Sequence, residues 1–500
     1  MMKKRFLFKS TILLSTALLL STTSCQDFLD VNKDPSNPEV SDGQPVSIFP
    51  AAVASTGGTI GAQYAILGGI WSQHWTQAAT SNQFKDIDSY NLTASSLNNQ
   101  FDEMYAGALN DYQFIIKKSE ASQDWFYFLA ATVMKAYTLQ VMVDLYDKVP
   151  YSQAFQGLDN LTPAYDDGDK VYAGLIAEID NALQKDFTAA SNSTPAGRDI
   201  VLSGSVDNWK RFANTLKLKM YLRMINVKPA EALAGINKLY TDKVNFLEVD
   251  AAMKNFQDSP DKSNPLFEFN NRRLNTSLNL RASKTMMSWL QANNDPRLSV
   301  YYKFPSTKPA TTTWIPLDQG NFNTTQADRT NVSVANILPL APVYFISASE
   351  SFFLQAEALE RITPNAPAAK SMYDKAVVAA FAQNSVDGTS FVAAGGKYAY
   401  PAAGTFEQKL ESIITQKWAS MVGSHALEAY FEKNRTGYPV TSSVYSDNAA
   451  YVPGQLVYPK EGITGGVFPR RLIFSDRDRQ RNPNVPAMVP LTTKVWWDVK

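Results

Sequence analysis

Apolar residues at helical spacing recur along this chain in runs that come two at a time. From Leu97 to about Lys118, Phe101, Met104, Tyr105, Ala108, Leu109, Tyr112 and Ile116 share one helical stripe. A second run, Asp124 to about Leu145, follows after only residues 119–123, and helices joined so closely lie antiparallel. Asp169, a residue type that caps helices, precedes Val171, Leu175, Ile179, Ala182 and Leu183. Val206 to Met224 answers that run with Trp209, Phe212, Ala213, Leu216 and Met220. Val343–Leu359 and Ala366–Phe381 make a third pair, and Phe406–Trp418 and Gly423–Phe431 a fourth. A further helix is predicted near Ala62 to Ala79, carrying Ile66, Leu67, Ile70, Trp71 and Trp75.

Helix pairs that bury their apolar faces on their neighbours are the plan of tetratricopeptide arrays. The spacing here is irregular, without a clean period of about 34 residues. The expected fold is therefore mainly α, a distorted array of tetratricopeptide-like helix pairs. Residues 246–340 and 436–500 are rich in Asn, Thr and Pro and read as long loop-rich insertions that form one face. Binding sites lodge on such loops when a rigid scaffold holds them.

The first thirty residues have a different character. Lys3, Lys4, Arg5 and Lys9 lead into an uncharged run, Ser10 to Ser24, with Ile12, Leu13, Leu14 and Ala17 to Leu20 at its centre. This is the layout of a secretory signal peptide over residues 1–24. Its apolar part is too short and too rich in Ser and Thr to span a membrane. Cys25 is the only cysteine in 500 residues, so no disulfide can form within the chain. At the end of an export signal it reads as a lipidation site, with cleavage before Cys25 and acylation on it. Residues 25–45, with Pro35 and Pro38 among Asn and Asp, are expected to form an extended tether, and residues 46–500 a single domain. Four of the 47 basic residues precede Cys25 and all 47 acidic ones follow it, giving the mature chain a net charge of −4. No Lys/Arg run marks a nucleic-acid surface, and membrane contact rests on the lipid.

Catalytic chemistry has little material. There are two histidines, His74 and His425, and no HExxH, GxSxG, P-loop or GxGxxG. Asp166-Asp167-Gly168-Asp169 begins like a calcium loop, but position 177 is Ala where that loop needs Glu, so helix capping is the better account. No catalytic residue, metal or cofactor is assigned. A glycoside hydrolase remains an alternative, because two carboxylates about 5–10 Å apart suffice and Asp86, Asp88, Asp102 and Glu103 lie close in sequence. Binding has more support. Sugars pack flat C–H faces on aromatic rings, and two polar stretches hold exposed-looking aromatics. The first, Trp71 to Tyr90, supplies the candidate ligand residues Trp75, Asn82, Phe84 and Tyr90; the second, Trp289 to Phe322, supplies Trp314 and Phe322.

Several segments carry a family resemblance. Val143-Asp144-Leu145-Tyr146-Asp147-Lys148-Val149-Pro150-Tyr151-Ser152-Gln153-Ala154-Phe155 resembles the helix-exit motif of the SusD/RagB family of outer-membrane nutrient-binding lipoproteins, with Asp147 where Gly is common. Asp27-Phe28-Leu29-Asp30, Trp209-Lys210-Arg211-Phe212, Asn294-Asp295-Pro296-Arg297 and Gln355-Ala356-Glu357-Ala358 match in order. So do Asn434-Arg435-Thr436-Gly437, Phe468-Pro469-Arg470-Arg471 and Lys494-Val495-Trp496-Trp497-Asp498. The match is to the SusD-like branch with an atypical C-terminal half. The resemblance implies four tetratricopeptide-like helix pairs with a loop-rich ligand face. It also implies a lipid-anchored protein on the outer-membrane surface, partnered with a SusC-like TonB-dependent transporter. Such a protein captures an oligosaccharide or peptide without chemistry of its own. The motif residues Trp209, Trp418, Trp496 and Trp497 are expected in packing, and Arg435, Arg470 and Arg471 in ion-paired clamps. A surface glycan hydrolase and a tetratricopeptide-type assembly factor remain the alternatives.

Overall fold

The structure, a computed structural model, describes residues 43–78, 81–195, 197–273, 278–305, 311–323 and 331–500. Cys25, the expected signal peptide and most of the expected tether lie outside the described residues.

Helix α1 (Pro45–Thr59) starts with Pro at its first position, where the missing N–H costs nothing, and runs through a π-type turn, Ile60–Tyr64, into α2 (Ala65–Trp71). The predicted helix over Ala62 to Ala79 therefore begins earlier and stops at Trp71. Gln73 takes a left-handed φ of 57°, and Trp75 leaves the helix to open strand β1 (Trp75–Gln77). Next come α3 (Asn110–Ser122) and α4 (Trp125–Tyr146), with the Asp124 carboxylate accepting the Tyr127 N–H at the start of α4. Helix α4 is mostly apolar and buried along nearly its whole length, as a helix enclosed by others must be, with Lys135 and Asp144 as its two charged residues. Among the described residues it alone is long and apolar enough to cross a membrane, and that window is 100% buried. A hairpin of β2 (Lys148–Pro150) and β3 (Tyr165–Asp167) leads to α5 (Gly168–Leu183), α6 (Val206–Arg223) and α7 (Pro229–Thr241). The cap of α5 is Asp167; Asp169 sits inside the first turn, 2.9 Å from the Lys228 ammonium.

The middle region contributes β4 (Ala251–Met253), β5 (Leu280–Ala282), α8 (Lys284–Ala292), β6 (Tyr302–Lys303), β7 (Val334–Ala335) and β8 (Val343–Ile346). Strands β1, β5, β7 and β6 form an antiparallel sheet in that order, with Trp75 opposite Ala282 and Tyr302 opposite Ala335. Strand β8 occupies the start of the predicted helix Val343–Leu359. Val-Tyr-Phe-Ile is β-branched and aromatic and pairs with β4. Ser347 then accepts the Glu350 N–H at 3.1 Å and starts α9 (Ala348–Ile362). The chain closes with α10 (Pro367–Ala382), α11 (Phe406–Ser420) and α12 (Ala426–Thr436). The four predicted helix pairs, α3/α4, α5/α6, α9/α10 and α11/α12, all form and pack. Gly68 lets α2 cross α12 closely, since a Cβ there would lie 2.2 Å from the Leu427 backbone nitrogen.

Five of these helices meet around buried charge. On α6, Arg223 reaches Asp144 of α4 (3.1 Å) and Glu428 and Glu432 of α12 (2.7 Å each). Lys219, one turn earlier, lies 2.8 Å from Glu428 and 3.1 Å from Glu350 of α9. Lys417 of α11 is 3.2 Å from Glu428. Arg435 binds Glu357 through two bonds of 2.6 and 2.7 Å and also holds Glu432. The expected clamps Arg470 and Arg471 pair with Asp498 (3.1 Å) and Asp147 (3.5 Å). Trp209, Trp418 and Trp497 are buried in the core, and Trp496 packs against it.

Removing one partner of such a buried pair strands the other, so Arg435→Ala should lower stability by about 3–5 kcal/mol in urea unfolding. Burial raises the Glu428 carboxyl, but Arg223, Lys219 and Lys417 outweigh it and hold the pKa at about 2. The unfolded chain therefore binds this proton more readily. The stability Glu428 contributes is complete above its ordinary pKa of 4.5 and lost as pH falls towards 2. The Glu428→Gln chain should accordingly lose less stability than its parent between about pH 5 and pH 3, read by denaturant midpoints.

Candidate ligand-binding site

The two stretches singled out for ligand aromatics meet in space. Gln319 donates its amide to Asp88 Oδ1 at 2.6 Å and to the Trp75 carbonyl at 3.2 Å. The Thr76 hydroxyl donates to Asp88 Oδ2 at 2.6 Å, as does the Gln77 N–H at 3.0 Å. Gly320 N–H donates back to Thr76 Oγ1, and the Tyr302 hydroxyl to the His74 carbonyl. Asp88 is thus a buried carboxylate held by dipoles, with no ion pair among the described residues. Burial, only partly offset by those hydrogen bonds, pushes its pKa up to about 6.

Beside this junction lies a cavity of about 370 Å³, within the range of small-ligand sites. Strand β1 contributes Trp75, the helical turn just before β6 contributes Tyr301, β8 contributes Tyr344, and the end of α10 contributes Gln383 and Asn384. Asn336 and Asn264 line it from the connecting segments. Its mouth carries Leu338 and Leu340, which are 50% and 56% exposed. Tyr344 stacks on His425 with ring centroids 4.7 Å apart. Two polar atoms of wall residues, Trp75 Nε1 and Asn336 Oδ1, are buried with no hydrogen-bond partner among the described residues. Such atoms are uncommon in folded proteins and call for an explanation.

The sequence candidates scatter. Trp75 lies in the cavity wall, with its ring against Gly69. Phe84 and Tyr90 turn inward, only 2% and 1% exposed, because Trp71, Tyr458 and Phe468 surround Tyr90 and Phe269 faces Phe84. Phe322 is buried as well, with the Lys85 ammonium 5.2 Å above its ring. In this structure those three rings pack in the interior and present little surface. Asn82 is exposed at a turn. Trp314 is half-buried and pairs with Phe304, centroids 3.9 Å apart, as an outer aromatic patch. The cavity residues Asn336, Tyr344, Gln383 and Asn384 were not among the candidates. The one signal for them was Leu338-Pro339-Leu340-Ala341-Pro342, an apolar run whose prolines suit neither helix nor central strand.

Neither histidine is placed for base catalysis. His74 donates Nε2–H to the Trp418 carbonyl at 3.1 Å, and burial lowers its pKa to about 3. Burial likewise lowers His425 to about 4. Of the proposed hydrolase acids, Asp88 is tied as above, Asp102 pairs with Arg477 at 2.5 Å, and Glu103 accepts from Ser55. The acids of the calcium-like run are also engaged. Asp166 accepts from Tyr151 and Ser152, Asp167 pairs with Lys148 and Lys170, and Asp169 with Lys228.

This is an α-helical scaffold with a pocket built where its loops and sheet meet the array. A family profile described as starch-binding and associating with the outer membrane matches residues 43–459, and the chain belongs to this SusD-like family. A chitin-binding SusD homolog from Flavobacterium johnsoniae superposes with a TM-score of 0.74 at 23% identity, over 90% of this chain and 98% of its own. A SusD homolog from Bacteroides uniformis gives 0.72 at 22% identity, over 92% and 100%. A SusD/RagB family protein from Bacteroides thetaiotaomicron gives 0.71 at 20%, over 91% and 99%. These likenesses establish the fold. A comparison with curated proteins finds no match in sequence.

Asp88 yields a pH test. Its folded pKa of about 6 exceeds its ordinary value of 3.8, so the folded chain holds this proton longer and the Asp88 contribution to stability falls as pH rises through that window. Asp88→Asn removes the slope. Measured against the parent, its stability should improve from about pH 4 to pH 7 by on the order of 2–3 kcal/mol.

Proposed function

We propose that this chain is a cell-surface lipoprotein that captures an oligosaccharide in the 370 Å³ cavity and passes it to a SusC-like TonB-dependent outer-membrane transporter. The observation that carries the reading is the cavity itself. Its wall combines three aromatic side chains with four amide side chains, and a carbohydrate offers the matching alternation of C–H faces and hydroxyls. Its Leu338 and Leu340 rim gives an apolar lip at the entrance. The Flavobacterium johnsoniae relative is described as chitin-binding and the family as starch-binding, which supports a glycan over a peptide. Acylation at Cys25 would hold the chain to the outer membrane, and two or more acyl chains suffice for stable anchoring. Trp75 is the candidate residue that belongs to this site, and Trp314 with Phe304 would offer a second contact for a longer glycan. No hydrolytic step is assigned, because both histidines are buried and neutral near pH 7 and, of the four candidate acids, Asp88, Asp102 and Glu103 are occupied by structural partners.

The test is calorimetric titration of the mature chain carrying Cys25→Ser with maltoheptaose, chitohexaose and mixed tripeptides. One of the saccharides should bind without release of reducing ends. Leu340→Ala and Asn384→Ala should each weaken binding about tenfold at an unchanged melting temperature, and Trp314→Ala should weaken only the longer glycans. Phe84→Ala should instead cost about 3–5 kcal/mol of stability and leave binding intact. Tripeptide binding alone would replace the glycan with a peptide. Silence from every ligand would favour an assembly role.

A further inference from the structure

A second cavity, of about 550 Å³, lies in the helix array itself, floored by α4 and walled by α3, α5 and the segment after β2. Its floor holds Lys135, whose side chain is 7% exposed. The ammonium donates to both oxygens of Glu178 on α5, at 3.2 and 3.1 Å, and the Tyr151 hydroxyl donates to the same carboxylate at 2.8 Å. Gly174 makes this possible, since a Cβ there would stand 2.4 Å from the Tyr151 oxygen. Lys135 also lies 5.7 Å above the Tyr151 ring and 6.0 Å above that of Phe155. The buried cation is thus fully accommodated and in turn fixes both rings.

Phe155 is the unusual member. Its φ is +62°, a conformation that strains a bulky side chain. Strain of this kind persists only where surroundings over-determine it, and it clusters at functional sites. The surroundings here are visible. The Phe155 ring stacks on Tyr105 (6.1 Å, 16°), which stacks on Phe101 (4.9 Å, 28°). Lys117 donates to the Phe155 carbonyl at 3.4 Å. The result is a half-buried aromatic face set in the wall of an open groove.

The rim narrows the ligand class. Gln113, Gln156 and Asn181 offer amide donors and acceptors, and the cations Lys117 and Lys135 are balanced by Glu120 and Glu178. A groove with no net charge gives an ionic ligand no advantage over a neutral one. A flat ring among dense paired donors and acceptors suits a molecule with C–H faces and many hydroxyls. We infer that this groove is a second saccharide site, with Phe155 as the stacking platform and Gln113, Gln156 and the Lys135–Glu178 pair as hydroxyl partners. The inference rests on the glycan-binding reading above and adds a site that lies outside the loop face.

The test is the stoichiometry of the same Cys25→Ser chain titrated with maltoheptaose and chitohexaose. Two sites per chain are expected for the saccharide that binds. Phe155→Ala and the exposed-rim variant Gln156→Ala should each weaken one site by about tenfold and leave the other unchanged. Leu340→Ala should do the reverse. Gln156→Ala keeps the result interpretable if Phe155→Ala fails to fold. One site per chain, lost with Leu340→Ala and indifferent to Gln156→Ala, overturns this inference while sustaining the glycan-binding reading. No saccharide binding at all overturns both.

Discussion

Lys219 and Arg223 sit one turn apart on α6, and both side chains are almost wholly buried. Burying two cations side by side is tenable only if carboxylates arrive from several directions. They do: Asp144 comes from α4, Glu350 from α9, and Glu428 and Glu432 from α12. Lys417 and Arg435 then neutralise the acids left over. No helix carries a balanced set by itself, so sliding any one of them by a turn would leave a charge without a partner. Apolar stripes alone tolerate such slips. The network therefore supplies the register that the irregular repeat spacing does not, and it extends to Tyr137, whose ring lies 5.8 Å from the Lys219 ammonium.

That arrangement explains what could be read from the sequence. The helix pairs were legible because each has its own stripe and, in several cases, its own cap, such as Asp124, Ser205 and Thr405. Helix α8 was hidden inside the loop-rich stretch 246–340, and α7 falls between Met224 and Phe246, where no helix is predicted. The strands were less legible still, because β6 and β7 have two residues each and exist only through their tertiary partners. Val343 to Ile346 fits a helical stripe as well as a strand, and only β4 decides between them.

The site was harder for a related reason. Polar neighbours made Trp71 to Tyr90 look exposed, yet Thr76, Gln77, Asp88 and Gln319 are polar because they bond to one another inside. Tyr90 and Phe84 are carried inward with them. A buried polar knot and a ligand-facing loop share the same composition, and hydrogen-bond partners far along the chain separate the two. The cavity draws on residues from Trp75 to Ser424, a convergence that no local pattern encodes.

The cavity mouth shows how such a convergence is made rigid. Asn264 caps a short helical turn by accepting the Leu266 and Phe267 N–H groups, while its own N–H donates to the Pro339 carbonyl (2.7 Å) and its amide to the Ala341 carbonyl (2.8 Å). Asn336 likewise donates its backbone N–H to Tyr301 and its amide to Val300. The backbone that displays Leu338 and Leu340 is thereby fixed at both ends, with Pro339 and Pro342 restricting it between. Two half-exposed leucines on a stiff segment lose little entropy when a ligand covers them, whereas the same leucines on a loose loop would give most of that gain back in ordering. The polar residues of the middle region thus hold the apolar lip in place, and the helix array fixes what they hold it against.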